Sequence, residues 1–257
     1  MLMNPNQATS ADQPSWPQAL LLGMLMVLPW IQPWSHSPQP NTVPLLISWA
    51  CIACLMVWGQ AIKPLDIARA WAVAALISSS MGLIQYFGAD AALSPWLHVT
   101  GTVGEAAANL RQRNQLATLL AMGILSVLWW HAHGLTARQA AWMLALLAVG
   151  NAATASRTGL LHMLLIVGLV AFWTYRSRFE AHRLSARLAL WALAIYLLAN
   201  WALPGLLSAV TGQDMTGALA RMGHDEGCAS RRVLWGNVLQ LIGQKPWWGW
   251  GWDELKY

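Results

Sequence analysis

Seven stretches of this chain, at 18–31, 43–61, 67–87, 116–133, 139–155, 158–175 and 187–207, are apolar almost without interruption. A helix of roughly 17 to 25 residues crosses a hydrocarbon core about 30 Å thick. Inside lipid no water meets the backbone N–H and C=O groups, so a spanning segment must satisfy them within itself, as a helix does. The pattern therefore predicts an all-α, polytopic integral membrane protein with about seven transmembrane helices, for which the lipid bilayer is the first partner. Composition agrees, because 57% of residues are hydrophobic and 10% charged, whereas soluble domains carry about a quarter charged residues. The same figures exclude a disordered chain. There is no Lys/Arg-dense face with interleaved aromatics, so no nucleic-acid partner is expected. The first stretch holds Pro29 and has the length of a signal-peptide core. Asp12 precedes it without Lys or Arg, however, and no small-residue cleavage site follows.

Trp30, Trp34, Trp58, Trp71, Trp129, Trp130, Trp173 and Trp201 stand near the ends of these stretches, where an amphipathic ring is comfortable at headgroup level. Cys51 and Cys54 form a C-x-x-C inside an apolar run and read as packing or lipid-facing filler rather than as a redox or metal site. Cys228 stands alone and supports no disulfide framework. Orientation follows from the short loops, since Lys and Arg accumulate on the cytoplasmic side. The segment 176–187, read as a loop, carries Arg176, Arg178, Arg183 and Arg187 against Glu180. Placing it inside and alternating puts Arg138, Lys63, Arg69 and the N-terminus in the cytoplasm as well. Loops 32–42, 88–115 and 208–257 then lie outside, with a tight turn near 156–157. The chain divides into a cytoplasmic tail 1–17, a transmembrane helical domain 18–207 and an outer segment 208–257.

This topology leaves Arg111, Arg113, Arg157, Arg221, Arg231, Arg232, Lys245 and Lys256 on the outer face, against the bias that set it. Two readings are open. Long loops cross regardless of charge, and nearby acids neutralise the set. Alternatively, arginines kept where helices begin or end form a cradle for an anion at the membrane surface, a task that suits the permanently charged, bidentate guanidinium.

In "NLRQRNQLATLL", Asn114 is placed as the N-cap of the fourth span, so that its first amides and Arg111 and Arg113 converge where a diphosphate could sit. The preceding Gly101 and Gly104 allow a loop to fold close to a ligand. In "NAATASRTGLL", Arg157 lies between two spans with almost no loop. An arginine at membrane depth costs on the order of 2.5–3.5 kcal/mol, so such a residue has a counter-ion, a cavity or a substrate, or else snorkels to a wet interface marked by Thr154, Ser156 and Thr158. Beyond the seventh span, His224 beside Asp225 and Glu226 reads as a solvated loop histidine. The run 231–244 has helical spacing with an apolar stripe of Leu234, Val238, Leu241 and Ile242, and reads as an interfacial helix.

Together, "NLRQRNQLATLL" at 109–120, "TASRTGLL" at 154–161 and "SRRVLWGNVLQLIGQKPWWGWGW" at 230–252 resemble the O-antigen ligase and pilin-glycosylation ligase superfamily, and specifically its protein O-oligosaccharyltransferase branch. The resemblance runs from about residue 80 onward, and its first stretch is the most diagnostic of that branch. It implies a metal-independent glycosyltransferase without cofactor, in the bacterial inner membrane. Such an enzyme takes a glycan from undecaprenyl diphosphate, the lipid-linked donor, and passes it on the periplasmic side to a Ser or Thr hydroxyl of a pilin or another exported protein. Arg157 falls on the family's S-R arginine. Arg231, four residues before Trp235, falls on the arginine of R-x-x-x-W, with Arg232 as the register alternative, and both motifs are implied to hold the diphosphate. Gln112, Arg113, Asn114 and Gln115 fall on the branch signature, where donor or acceptor contacts are made, with Arg111 beside them. No residue is assigned as catalytic, because the family's base is a loop histidine expected beyond Tyr257. The chain accordingly reads as the amino-terminal part of a longer enzyme. The alternatives are a ligase or polymerase acting on a lipid or glycan acceptor, an anion transporter, and an inactive membrane fragment.

Overall fold

The structure, a computed structural model, describes residues 16–34, 42–176, 180–212 and 226–250, and all regular structure among them is helical. The helices are α1 (Trp16–Ile31), α2 (Thr42–Trp58), α3 (Pro64–Tyr86), α4 (Arg113–Ala132), α5 (Ala137–Ala153), α6 (Arg157–Arg176), α7 (Glu180–Thr211) and α8 (Glu226–Gln244). Each of the seven apolar stretches is one helix. α3, α4, α6 and the Ser185–Thr211 part of α7 are long and apolar enough to cross a membrane, while α1 and α2 are shorter apolar helices. α5 has 17 residues, about 25 Å at 1.5 Å per residue. The segment expected as a basic loop at 176–187 differs, because the backbone is already helical from Glu180. No Gly or Pro interrupts α7 before Pro204, and Ala, Leu, Arg and Glu are strong helix formers.

Helix α4 is the centre of the bundle: 56% of its apolar window is buried in protein, against 17% for α6. Close approach to α4 and α5 depends on residues without a side chain. A Cβ on Gly123 would lie 2.3 Å from the Ala75 Cβ of α3, and one on Gly150 would lie 2.0 Å from the Ser79 Oγ. With no hydrophobic drive between helices in lipid, such small-residue contacts supply dispersion instead. Leu116, Leu119, Leu120 and Ile124 of α4 and Leu144 and Leu147 of α5 fill the space between. Outward faces are apolar too, with Trp49, Met56, Leu165, Leu169 and Trp201 exposed. Among apolar helices of this length, such faces meet acyl chains, and the chain is a multi-pass membrane protein.

Helix directions alternate. The Asn109 Nδ2 donates to the Ile31 carbonyl, Gly104 N to Tyr86 O, and Ala106 N to Ala153 O, while the Ser156 Oγ donates to the Asn114 Oδ1. The ends of α1, α3 and α5 and the starts of α4 and α6 thus gather at one end of the bundle. At the opposite end, the Arg69 guanidinium sits 5.5 Å from the Trp130 ring centroid.

Residues 219–257 form a second compact unit. Its helix α8 begins at Glu226, ahead of the expected start at 231, and is followed by a turn in which the Trp250 Nε1 donates to the Leu241 carbonyl and the Lys245 ammonium lies 4.0 Å from the Trp250 ring. Leu234, Leu239 and Ile242 are exposed, as are Trp247 and Trp248. His224, Arg221 and the side chains of Arg231 and Cys228 lie outside the described residues.

Candidate functional site

The segment between α3 and α4 is held by three polar side chains that an apolar protein has to place with care. Gln85, fully buried near the end of α3, donates from Nε2 to the carbonyls of His98 (2.7 Å) and Ala108 (3.2 Å). Its Oε1 accepts from Ala107 N (3.0 Å) and Ala108 N (2.6 Å). Asn109, also buried, accepts from His98 N at 2.9 Å and donates to Ile31 O and Trp96 O. Asp90 accepts from Thr100 N at 2.8 Å and from the Thr100 hydroxyl at 3.1 Å. A buried amide left unpaired would cost about 1–3 kcal/mol, so these bonds fix the path of the segment. Gly101 and Gly104 have φ of 68° and 85°, as a closely folded loop requires. Ala108, Arg111 and Ala155 also adopt positive φ, at 49°, 59° and 48°. Side-chain-bearing residues pay about 1–2 kcal/mol for that region, and three such positions cluster at this end of the bundle.

The folded segment lines an open polar cavity of about 290 Å³, bordered by His98, Thr100, Glu105, Arg111, Gln112 and Arg113, among others. The two arginines differ in what they offer. The Arg113 Nη1 is 2.8 Å from the Glu105 Oε1, an ion pair. The Arg111 Nη1 is buried and has no hydrogen-bond partner. A guanidinium nitrogen in that state is short of an acceptor oxygen.

The start of α4 is capped differently from the sequence expectation. Gln112, not Asn114, is the N-cap, with extended φ and ψ and an Oε1 that accepts from Gln115 N at 2.8 Å. Arg113 is therefore the first helical residue. The Asn114 amide is engaged elsewhere, where its Oδ1 accepts from the Ser156 Oγ at 2.6 Å, so it joins the α4 motif to the S-R motif. Ser156 is buried and its Oγ also accepts from Thr158 N (3.2 Å), which caps α6. Thr154 is buried and bonded to Asn151 O rather than lining a wet interface. Arg157, the first residue of α6, is exposed at this junction. A Ser156→Ala change removes both the cap and the inter-helix bond. The protein in detergent is expected to lose about 1–2 kcal/mol in reversible unfolding, and Ser156→Thr is expected to retain most of it.

The structure thus brings together Arg111, Gln112, Arg113, Asn114 and, through Ser156, the helix start that carries Arg157. Gln115 is exposed on the first turn of α4. Arg232 is exposed on α8 in the second unit. Sequence reasoning missed Gln85, Asp90, Asn109, His98 and Glu105. Gln85 had a signal, since an uncompensated amide within an apolar span is costly and must have a partner. Among the described residues, no three of His, Cys, Asp or Glu gather as a metal site.

Residues 142–257 match the family described as O-Antigen ligase, and residues 106–131 match the family described as Protein glycosylation ligase. No curated protein and no solved structure matches the chain significantly. The second match covers the cavity's arginines and all of α4 but its last residue, while the first match begins in α5 and includes the S-R motif. Both are matches to glycan ligases, whose shared chemistry is glycan transfer in a membrane from a lipid-linked donor to a protein or glycan acceptor. Residues 106–131 and 142–257 thus carry the sequence patterns of the O-antigen ligase and protein glycosylation ligase superfamily.

Proposed function

We propose that the chain takes part in transfer of a glycan from undecaprenyl diphosphate to a Ser or Thr hydroxyl of a pilin or another exported protein, in the bacterial inner membrane. The observation that carries this reading is the buried, unpartnered Arg111 Nη1 in a polar cavity at the helix ends. Arg111 and Arg157 receive the diphosphate, and Gln112, Asn114 and Gln115 order the start of α4 beneath it. Arg113 is shared with Glu105. As the bond from sugar to diphosphate breaks, negative charge grows on the departing oxygen, and fixed guanidiniums lower the barrier by stabilising it there. The gathered end faces the periplasm. Lys63, Arg69, Arg138 and Arg176 all belong to the opposite helix ends, which supports a cytoplasmic N-terminus.

The match at 106–131 favours a protein acceptor, and the longer match at 142–257 favours a lipid or glycan acceptor as a second reading. The full chain in detergent is expected to bind a polyprenyl-diphosphate oligosaccharide. Arg111→Ala or Arg157→Ala should weaken that binding by about tenfold or more, since each removes a charge-assisted contact. Undiminished binding in both variants would eliminate the cradle. Offering a pilin and a lipopolysaccharide core side by side in a transfer assay separates the two acceptor readings.

A further inference from the structure

Helix α8 and the turn after it have no place in the site described above, yet they carry a surface that water does not favour. α8 has 19 residues and is not among the helices apolar enough to cross a membrane. At about 100° per residue, Leu234, Trp235, Val238, Leu239, Leu241 and Ile242 fall within one arc of about 160°. Asn237, Gln240 and Gln244 lie opposite and are exposed. Leu234, Trp235, Leu239 and Ile242 are each more than half exposed, so the described residues leave the stripe largely uncovered. Beyond the helix, the Trp250 Nε1 donates to the Leu241 carbonyl, which folds the turn back on the last helical turn, and Trp247 and Trp248 are left 90% and 95% exposed. Gly227, Gly236 and Gly243 are poor helix formers. A helix of this length that carries them and packs against little is marginal in water, so α8 needs a surface to lie on.

Charge and ring chemistry select that surface. From 231 to 250 every charge is basic, namely Arg231, Arg232 and Lys245, while the acids Asp225, Glu226, Asp253 and Glu254 stand to either side in sequence. Trp235, Trp247, Trp248 and Trp250 fall in the same stretch, and the Lys245 ammonium lies 4.0 Å from the Trp250 ring centroid. An indole, apolar over its face with one N–H at its edge, suits the layer where acyl chains meet headgroups. Cationic side chains reach from that layer to lipid phosphates. A bilayer is within reach, because only residues 212–225 separate α8 from the membrane-crossing α7, a distance of at most about 50 Å when extended.

We propose that α8 and the turn at 245–250 form one lipid-docking surface, which lies in the headgroup layer of an anionic membrane with the stripe of Leu234, Leu239 and Ile242 toward the acyl chains. This goes beyond the anion-cradle reading, and neither depends on the other. A second copy of the stripe would bring like charges with it, whereas an anionic phospholipid brings the opposite charge.

The test uses the full-length protein in phosphatidylcholine nanodiscs with or without phosphatidylglycerol. With Cys51, Cys54 and Cys228 replaced by alanine, a nitroxide is attached through Leu239→Cys, Ile242→Cys, Asn237→Cys or Gln240→Cys, one at a time. Oxygen concentrates in lipid, and a neutral nickel chelate stays in water. In discs with phosphatidylglycerol, labels at 239 and 242 are expected to meet oxygen freely and to meet nickel at least about fivefold less than labels at 237 and 240. Low access to both reagents at 239 and 242 would mean that the stripe packs on protein, the bundle or a second copy, and would overturn the proposal. High nickel access at all four positions would make α8 a solvated arm and overturn it equally. Trp247→Ser combined with Trp248→Ser is expected to raise nickel access at 242 about threefold or more, and an unchanged value would remove the turn from the surface. Hydrogen exchange needs no substitution: amides at 233–244 of the unaltered chain should exchange about tenfold or more slowly in discs with phosphatidylglycerol than in discs without it. Equal exchange in the two discs would show that anionic lipid is not the partner.

Discussion

Replacing Gln85 by leucine is expected to collapse the segment between α3 and α4 while leaving the helices in place. The amide serves four backbone groups at once, two carbonyls and two N–H groups, at distances between 2.6 and 3.2 Å. Leucine fills a similar volume but offers none of these bonds. Each buried group left unpaired costs about 1–3 kcal/mol, and partial rehydration of the segment reduces the sum, so a loss on the order of 4 kcal/mol is expected locally. The left-handed backbone at Ala108 and Arg111 is sustained by these bonds and has no independent reason to persist. Arg111 should therefore leave its cavity, and binding of a diphosphate probe should fall at least as far as in Arg111→Ala. A cysteine placed at Leu97, which is buried in this segment, would report the change, with thiol labelling in the Gln85→Leu background rising about tenfold or more over the Gln85 parent. Gln85→Glu separates the two halves of the role, since it keeps an acceptor for Ala107 and Ala108 but places an oxygen against the carbonyls of His98 and Ala108. Slow labelling in Gln85→Leu would mean that the segment is held by other contacts.

The helices were legible because their cause is local. An apolar run long enough for a bilayer has one way to satisfy its backbone, and α3, α4 and α6 follow the runs closely. The start of α7 was not, since the cluster around Arg183 was read by charge alone, and charge at a helix end does not stop a helix. The outer arginines were legible as composition and not as geometry. Arg111, Arg113 and Arg157 stood out by sitting on the outer side, yet nothing in the sequence says that Glu105 takes Arg113 and leaves Arg111 unserved. Asn114 illustrates the limit. Its propensity as a cap was sound, but Gln112 occupied the cap and a serine 42 positions away claimed the Asn114 side chain. Bonds of that span depend on where helices land against one another, which local pattern does not encode.

That landing is fixed by glycines, and the sharpest effect on stability is expected at Gly150. A methyl there would meet the Ser79 Oγ at 2.0 Å, its Cβ at 2.9 Å and its Cα at 3.2 Å. The hydroxyl cannot turn away without giving up its 2.8 Å bond to the Leu146 carbonyl, and the last contact is with backbone, which can be relieved only by moving α5 away from α3. Overpacking of this kind costs about 1–3 kcal/mol for a single methyl. Gly150→Ala is therefore expected to unfold in detergent with a loss in that range, and Gly150→Leu not to assemble a stable bundle. Gly168→Ala is the contrast, because a Cβ there meets nothing within 4 Å, and it should be neutral or stabilising by up to about 1 kcal/mol through helix propensity. Ser79→Gly removes the Oγ and Cβ that an alanine at 150 would strike, so the double variant Ser79→Gly with Gly150→Ala should recover most of the loss, a coupling measurable by a double-mutant cycle. Additive losses in that cycle would show that α3 and α5 do not approach through this pair. The consequence would reach the site as well, since α5 ends at Ala153, whose carbonyl accepts from Ala106 N in the segment that carries Arg111.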